Sequence, residues 1–231
     1  MCHTAGRAPT LLFLPGYASD MTGTKAQALA DWAAMRGQAM LRFDWSGCGR
    51  SPGQFEAQTI SSWLEDARAM LDRTQGPALV VGSSMGGWIG LLLALAAPEQ
   101  LAGLILIAPA PDFTQWGLAE TLTADERAAL ARAGVFERAS PYGRTPARYS
   151  RALIEDGARH LIMGRPIGIT CPVRILHGQA DAEVPWRLSL ELAERLTSGD
   201  VRLTLVKDGD HRLSRPQDLA LLRREAEELA G

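Results

Sequence analysis

The sequence predicts an α/β protein, with a mostly parallel central sheet of about six strands, helices on both faces and a small helical cap. Three observations carry this expectation. Short apolar runs, such as residues 10–14 and 101–108, lack the alternation of a half-exposed strand, as expected for strands buried on both faces. Segments with helical apolar spacing separate these runs. Polar or glycine-rich stretches follow the ends of the runs, where ligands bind in sheets of this kind.

Residues 10–14 (TLLFL) read as the first strand, ended by Pro15-Gly16. Residues 24–35 are helical: Ala28, Leu29, Trp32 and Met35 share a face, and Gly37 suits the end. Residues 40–43 form a second strand that stops at Asp44. Three glycines and a proline then make residues 45–53 a loop. Residues 61–71 are helical, with Ser61 or Ser62 as N-cap and Glu65 three positions beyond Ser62. Residues 78–82 (ALVVG) are a third strand, 85–97 an apolar helix ending before Pro98, and 101–108 a fourth strand. Residues 173–176 and 201–206 are the fifth and sixth strands, with a helix at 188–196 between them. Residues 216–229 close the chain as an amphipathic helix, with Leu219, Leu222, Ala226 and Leu229 on one face.

One segment breaks the alternation. Residues 111–166 are too long for a structureless loop. Residues 123–133 and 148–163 have helical character and are divided by Pro141 and Pro146. The segment is therefore expected to be a helical cap over the strand ends, inserted within a single domain of residues 1–231.

Composition narrows the function classes. The 231 residues are 46% hydrophobic and 22% charged, with a formal net charge of −2, as in a globular domain with a sizeable core. No basic run points to nucleic acid. Cys2, Cys48 and Cys171 form neither a disulfide framework nor a CxxC metal site. The N-terminus shows no signal or transit character, and the longest apolar run, residues 88–97, is too short to span a bilayer. A cytoplasmic protein without stable membrane insertion, monomeric or homodimeric, is expected.

The chemistry concentrates in Gly82-Ser83-Ser84-Met85-Gly86, a G-x-S-x-G pattern between an apolar strand and an apolar helix. A serine at a sharp strand-to-helix turn exposes its Oγ, and small residues two before and two after let strand and helix approach. Ser84 is therefore the candidate nucleophile rather than Ser83, whose flanking positions do not fit. The helix N-terminus favours negative charge there, so the Met85 N–H is one candidate oxyanion donor. A second should come from the loop after the first strand, at Tyr17.

A serine nucleophile needs a base, and the base an orienting acid. Among four histidines, His211 lies in a polar loop between the last strand and the final helix, and His3, His160 and His177 fit less well. Asp181 follows the fifth strand, and the chain order Ser, acid, His suits this arrangement. Asp208 and Asp210 stay as alternative acids. Asp44 reads as a tie for the glycine loop, His177 as a packed residue near the site, and Cys48 as structural. Phe113, Trp116, Leu118, Leu122, Phe136 and Ile162 are cap candidates for a substrate pocket, with Trp186 at its rim. Arg50 and Arg212 flank loops that could meet an anionic leaving group.

At this point a resemblance becomes specific. FLPGY at 13–17, GTK at 23–25, RFDWSGCGRS at 42–51, VGSSMGGW at 81–88, HGQADAEVPW at 177–186 and DHR at 210–212 resemble the branch of α/β-hydrolases containing mitochondrial palmitoyl-protein thioesterase and acyl-glucuronide esterase. The likeness runs from about residue 10 to the C-terminus and is weakest in the cap. It implies the α/β-hydrolase fold, a Ser84–Asp181–His211 triad and hydrolysis of S-acyl cysteine thioesters or activated acyl esters. The partner is then a small acyl ester or an S-acylated protein or peptide, and the chemistry needs no metal or organic cofactor. The N-terminus departs from the family, leaving little room for strands before Thr10, so the sheet is expected to begin at residues 10–14. Haloperoxidase-like or C–C bond hydrolysis, and ligand sensing without catalysis, stay open because fold does not fix substrate.

Overall fold

The computed structural model describes residues 1–140 and 145–231. A seven-stranded sheet forms the centre, in the order β1-β3-β2-β4-β5-β8-β9. Its strands are β1 Cys2–Thr4, β2 Arg7–Leu14, β3 Gln38–Arg42, β4 Ala78–Ser83, β5 Leu101–Ile107, β8 Val173–Gly178 and β9 Val201–Val206. All pair in parallel except β1, which runs antiparallel to β3 with Cys2 opposite Arg42.

The expectation of about six strands beginning at residue 10 is thereby corrected. β1 and β2 lie on opposite sides of β3, so the chain must cross over the end of β3. Gly6 permits this, since a Cβ there would lie 2.3 Å from the Gln38 carbonyl carbon. An exposed three-residue edge strand has no apolar run to announce it.

The continuous apolar runs divide between two layers because successive side chains point to opposite faces. Leu11, Phe13, Leu79, Val81, Ile105 and Ile107 join one layer. It is covered by α1 Thr24–Arg36 and α7 Pro216–Ala230. Leu12, Leu14, Val80, Leu104 and Leu106 join the other. It is covered by α2 Ile60–Leu71, α3 Met85–Ala96 and α6 Arg187–Arg195.

Local signals set most boundaries. Gly37 ends α1 in the left-handed conformation at φ 61°. Met35, expected on the buried face, is 76% exposed at the last turn of α1. The N-cap of α2 is Thr59 instead of Ser61 or Ser62; Ser62 completes the capping box from the third position.

The insertion is helical only in part. It holds a helical turn at Thr114–Leu118, α4 Ala124–Ala133, a two-stranded ribbon of β6 Val135–Arg138 and β7 Ala147–Ser150, and α5 Arg151–Gly157. The expected helix over 148–163 is shorter because Arg148 and Tyr149 pair with Glu137 and Phe136 in the ribbon. Ser150 then caps α5 by accepting from the Leu153 N–H. Pro141, read as a divider, lies outside the described residues. The buried Asp112 carboxylate accepts from the Ile162 and Met163 amides and so ties the two ends of the insertion together.

Candidate active site

The site begins with a strained turn. Ser84 sits between β4 and α3 at φ 54°, ψ −119°, a conformation costing a non-glycine residue about 1–3 kcal/mol. Its N–H donates to the Ile107 carbonyl at 2.9 Å, which holds the turn against β5. The two glycines are needed sterically. A Cβ on Gly82 would stand 2.4 Å from the Gly86 oxygen, and one on Gly86 would stand 2.1 Å from the Leu14 oxygen. Gly86→Ala is therefore expected to destabilise the protein by about 3 kcal/mol or to displace α3 from β2. For a chain of this size that corresponds to a Tm fall of roughly 6–12 °C in a thermal melt. An unchanged Tm would refute so close an approach.

Ser84 Oγ lies 3.1 Å from His211 Nε2. On the other side of the ring, His211 Nδ1 lies 2.7 Å from Asp181 Oδ2. The Asp181 side chain is fully buried and His211 is 13% exposed. Asp181 Oδ1 accepts from the Glu183 and Val184 amides at 2.8 and 2.9 Å. Burial would raise the Asp181 carboxyl, but hydrogen bonds from His177, His211 and the Val184 amide outweigh it and hold the group well below the carboxylate range. It stays ionised and stabilises a positive imidazole beside it.

Tyr17 and Met85, the expected oxyanion donors, line the cleft together with Ser84. Among the described residues, neither backbone N–H is hydrogen-bonded to a protein acceptor. The loop bearing Tyr17 is fixed by the buried Trp45 indole, which donates to the Pro15 carbonyl at 3.0 Å. The Tyr17 ring stacks on Tyr149 at 5.1 Å and meets Phe55, Trp63 and Phe113 edge-on. Its hydroxyl donates to the Arg148 carbonyl. Tyr17 thus joins the loop beside Ser84 to the insertion, a role its sequence position gave no sign of.

The cleft measures about 520 Å³. Phe113, Trp116 and Leu118 line it, together with Lys25, Tyr149, Glu183, His211 and Arg212. Trp186 does not. Its ring lies under the Arg187 guanidinium at 4.5 Å, at the start of α6, because the turn after Asp181 carries residue 186 past the cleft. Phe136 and Ile162 are buried in the core, and Leu122 packs against it. Lys25, missed as a site residue, donates to the Arg212 carbonyl at 2.6 Å. Burial, then the charge of Arg212, bring its ammonium down to about 8. The one signal for Lys25 was its place in the GTK motif.

The remaining candidates are structural. Asp44 accepts from the Met21 and Arg50 amides and ties down the glycine loop. Asp208 pairs with Arg215, and Asp210 accepts from the Arg212 and Leu213 amides. His160 contacts Ser61, and His3 lies on the edge strand β1. Arg50 is exposed and outside the cleft lining. Burial, then Asp44, push the Cys48 thiol up to about 11, which disfavours the nucleophilic thiolate. Asp181, Glu183 and His211 could each offer an atom to a metal ion. Asp181 and His211 Nδ1 already spend theirs on each other.

Comparison with known proteins agrees with this geometry. A family model described as serine aminopeptidase, S33, matches residues 7–141. Mouse mitochondrial palmitoyl-protein thioesterase ABHD10 is 39% identical over 221 residues, covering 94% of this chain and 73% of the mouse protein. The solved structure of mouse α/β-hydrolase domain-containing protein 10 superposes with a TM-score of 0.89 at 37% identity, covering 99% of this chain and 92% of that one. The solved structure of a protein from Agrobacterium vitis S4 superposes with a TM-score of 0.95 at 48% identity, with the same coverage. The chain belongs to the α/β-hydrolase family and is a hydrolase of the branch that contains palmitoyl-protein thioesterase ABHD10.

Proposed function

We propose that the chain hydrolyses carboxylic thioesters and activated esters, of the S-acyl cysteine or acyl-glucuronide type, through an acyl-enzyme on Ser84. One observation carries this reading: the unbroken relay from Asp181 through His211 Nδ1 and Nε2 to Ser84 Oγ, beside a cleft lined with aromatic side chains. Ser84 Oγ attacks the acyl carbonyl carbon while His211 Nε2 takes its proton. Asp181 keeps the proton on Nδ1 and stabilises the imidazolium. The Tyr17 and Met85 amides receive the oxyanion. Collapse expels the thiol or alcohol, protonated by His211. Water, deprotonated by His211, then attacks the acyl carbon and releases Ser84 and the carboxylic acid. No step requires a metal or organic cofactor.

Phe113, Trp116, Leu118 and Tyr149 offer apolar surface for an acyl chain, and Lys25 and Arg212 offer charge toward an anionic leaving group. The test is a hydrolysis panel of an S-palmitoyl peptide, a shorter S-acyl thioester, an acyl glucuronide and p-nitrophenyl esters. Thioester or glucuronide turnover, absent in Ser84→Ala, is the expected result. Activity confined to the simple esters would overturn the substrate assignment and leave the hydrolase standing.

The Lys25 ammonium gives this substrate class a pH signature. Below about 8 it is charged, and above that pH it loses its proton and its attraction for a carboxylate. The kcat/KM ratio of an acyl glucuronide over its methyl ester should therefore fall as pH rises through about 8. The expected fall is about two- to fivefold, the scale of one partly solvated ion pair. Lys25→Met should flatten the profile at the low ratio. A ratio independent of pH in the unmodified enzyme would remove Lys25 from leaving-group recognition.

A further inference from the structure

The relay contains a second histidine. His177 is next to last in β8, is fully buried, and places Nε2 3.1 Å from Asp181 Oδ2. Nε2 also lies 3.1 Å from the Val184 carbonyl oxygen. Both partners are acceptors, so Nε2 must carry a proton. Nδ1 lies 2.7 Å from Ser189 Oγ on α6, and Ser189 is itself fully buried. With the proton on Nε2, Nδ1 is a lone pair and the Ser189 hydroxyl donates to it. The two acceptors at Nε2 select the tautomer, and contacts at both ends hold the plane of the ring.

We propose that His177 is a positioning residue for hydrolysis: its Nε2–H donates to Asp181 Oδ2 alongside His211 Nδ1–H, fixes the plane of the carboxylate and limits the negative charge it presents to His211. Asp181 then accepts four donors, two backbone amides on Oδ1 and two histidines on Oδ2. A carboxylate sharing its charge with a second donor holds the imidazolium less tightly. His211 is freer to work as a neutral base, while its Nδ1–H stays oriented. A carboxylate lacking the second donor would favour the protonated ring and silence the base at the acid end of the working range.

The inference rests on the serine hydrolase reading, and its test separates the two. The readout is the pH–rate profile of kcat/KM on a p-nitrophenyl ester. His177→Leu removes the donor and is expected to move the acid limb up by about one pH unit, the scale of one charge-assisted hydrogen bond. That corresponds to roughly tenfold less activity on the limb, with the alkaline plateau nearly unchanged. His177→Gln can place an amide N–H near the former Nε2–H and is expected to restore the limb. The other charged groups around His211 are Glu183, Asp210 and Arg212, with Lys25 from α1, and neither substitution alters them.

A loss equal at every pH, not rescued by Gln, would mean that His177 only packs the loop and would overturn the proposal. Should the variants fail to fold, nitrogen-15 spectra of the unmodified protein decide. The Nε2–H tautomer of His177 is expected, and an Nδ1–H tautomer would end the proposal. If Ser84→Ala keeps full turnover, the hydrolase reading itself has failed. If Ser84→Ala is dead and the limb does not move in His177→Leu, only the role of His177 has failed.

Discussion

Ser84→Ala is expected to lower kcat by about 10⁵- to 10⁶-fold on any substrate the enzyme turns over. Ser84 Oγ is the atom that His211 Nε2 faces at 3.1 Å, and no other hydroxyl meets that nitrogen among the described residues. Ser83, its neighbour, is buried on the strand side of the turn. The residual rate, about 10³-fold above water, should come from the oxyanion donors and from substrate binding. Because Ser84 and His211 act as one unit, Ser84→Ala combined with His211→Ala should lose little more than Ser84→Ala alone. Turnover assays at matched concentrations of purified folded protein would measure both. Retention of more than about a tenth of the activity would assign the nucleophile elsewhere, since loss of a bonding atom cannot cost so little.

Asp181→Asn should cost about 10⁴-fold in kcat with the fold intact. The physical reason lies in the four donors that converge on the carboxylate. The Glu183 and Val184 amides cannot change what they offer, so the Asn oxygen must face them. The Asn NH₂ then faces His211 Nδ1 and His177 Nε2. Two donors cannot meet, and an imidazole can answer only by moving its proton to the other nitrogen. His211 would then carry its proton on Nε2, pointed at Ser84, and could not act as a base. A structure of the variant together with its kcat on a p-nitrophenyl ester would check this. Near-normal turnover with Asn in that orientation would show that the tautomer does not limit the rate.

Much of this site was legible in the sequence because its parts are local. Gly82-Ser83-Ser84-Met85-Gly86 is a single tight turn, and its glycines answer to clashes four residues away in the same motif or with the adjoining strand. Asp181 follows the buried strand β8 and His211 the half-buried edge strand β9, and a parallel sheet gathers the ends of its strands on one edge. Their chain order therefore implied their meeting.

What escaped the sequence was decided by distant pairing. β1 exists because β3 offers an open edge to three residues, two of them exposed, that Gly6 turns toward it. Arg148 and Tyr149 are extended because β6 pairs with them, although their own spacing suits a helix. Trp186 carries an aromatic ring that pattern alone would send to the cleft, yet the loop held by Asp181 turns it onto Arg187. Lys25 enters the cleft from α1 and reaches a carbonyl 187 residues further on. His177 reads as packing in the chain, and only the arrangement of Asp181, Val184 and Ser189 around it gives its proton a place. The sequence by itself determined the buried strands, their helices and the chemistry at the strand ends, because burial and tight turns impose short-range rules on residue type. The tertiary structure alone decided the edge strand, the ribbon in the cap and the second donor to Asp181, because hydrogen bonds between segments far apart in the chain leave no periodicity to read.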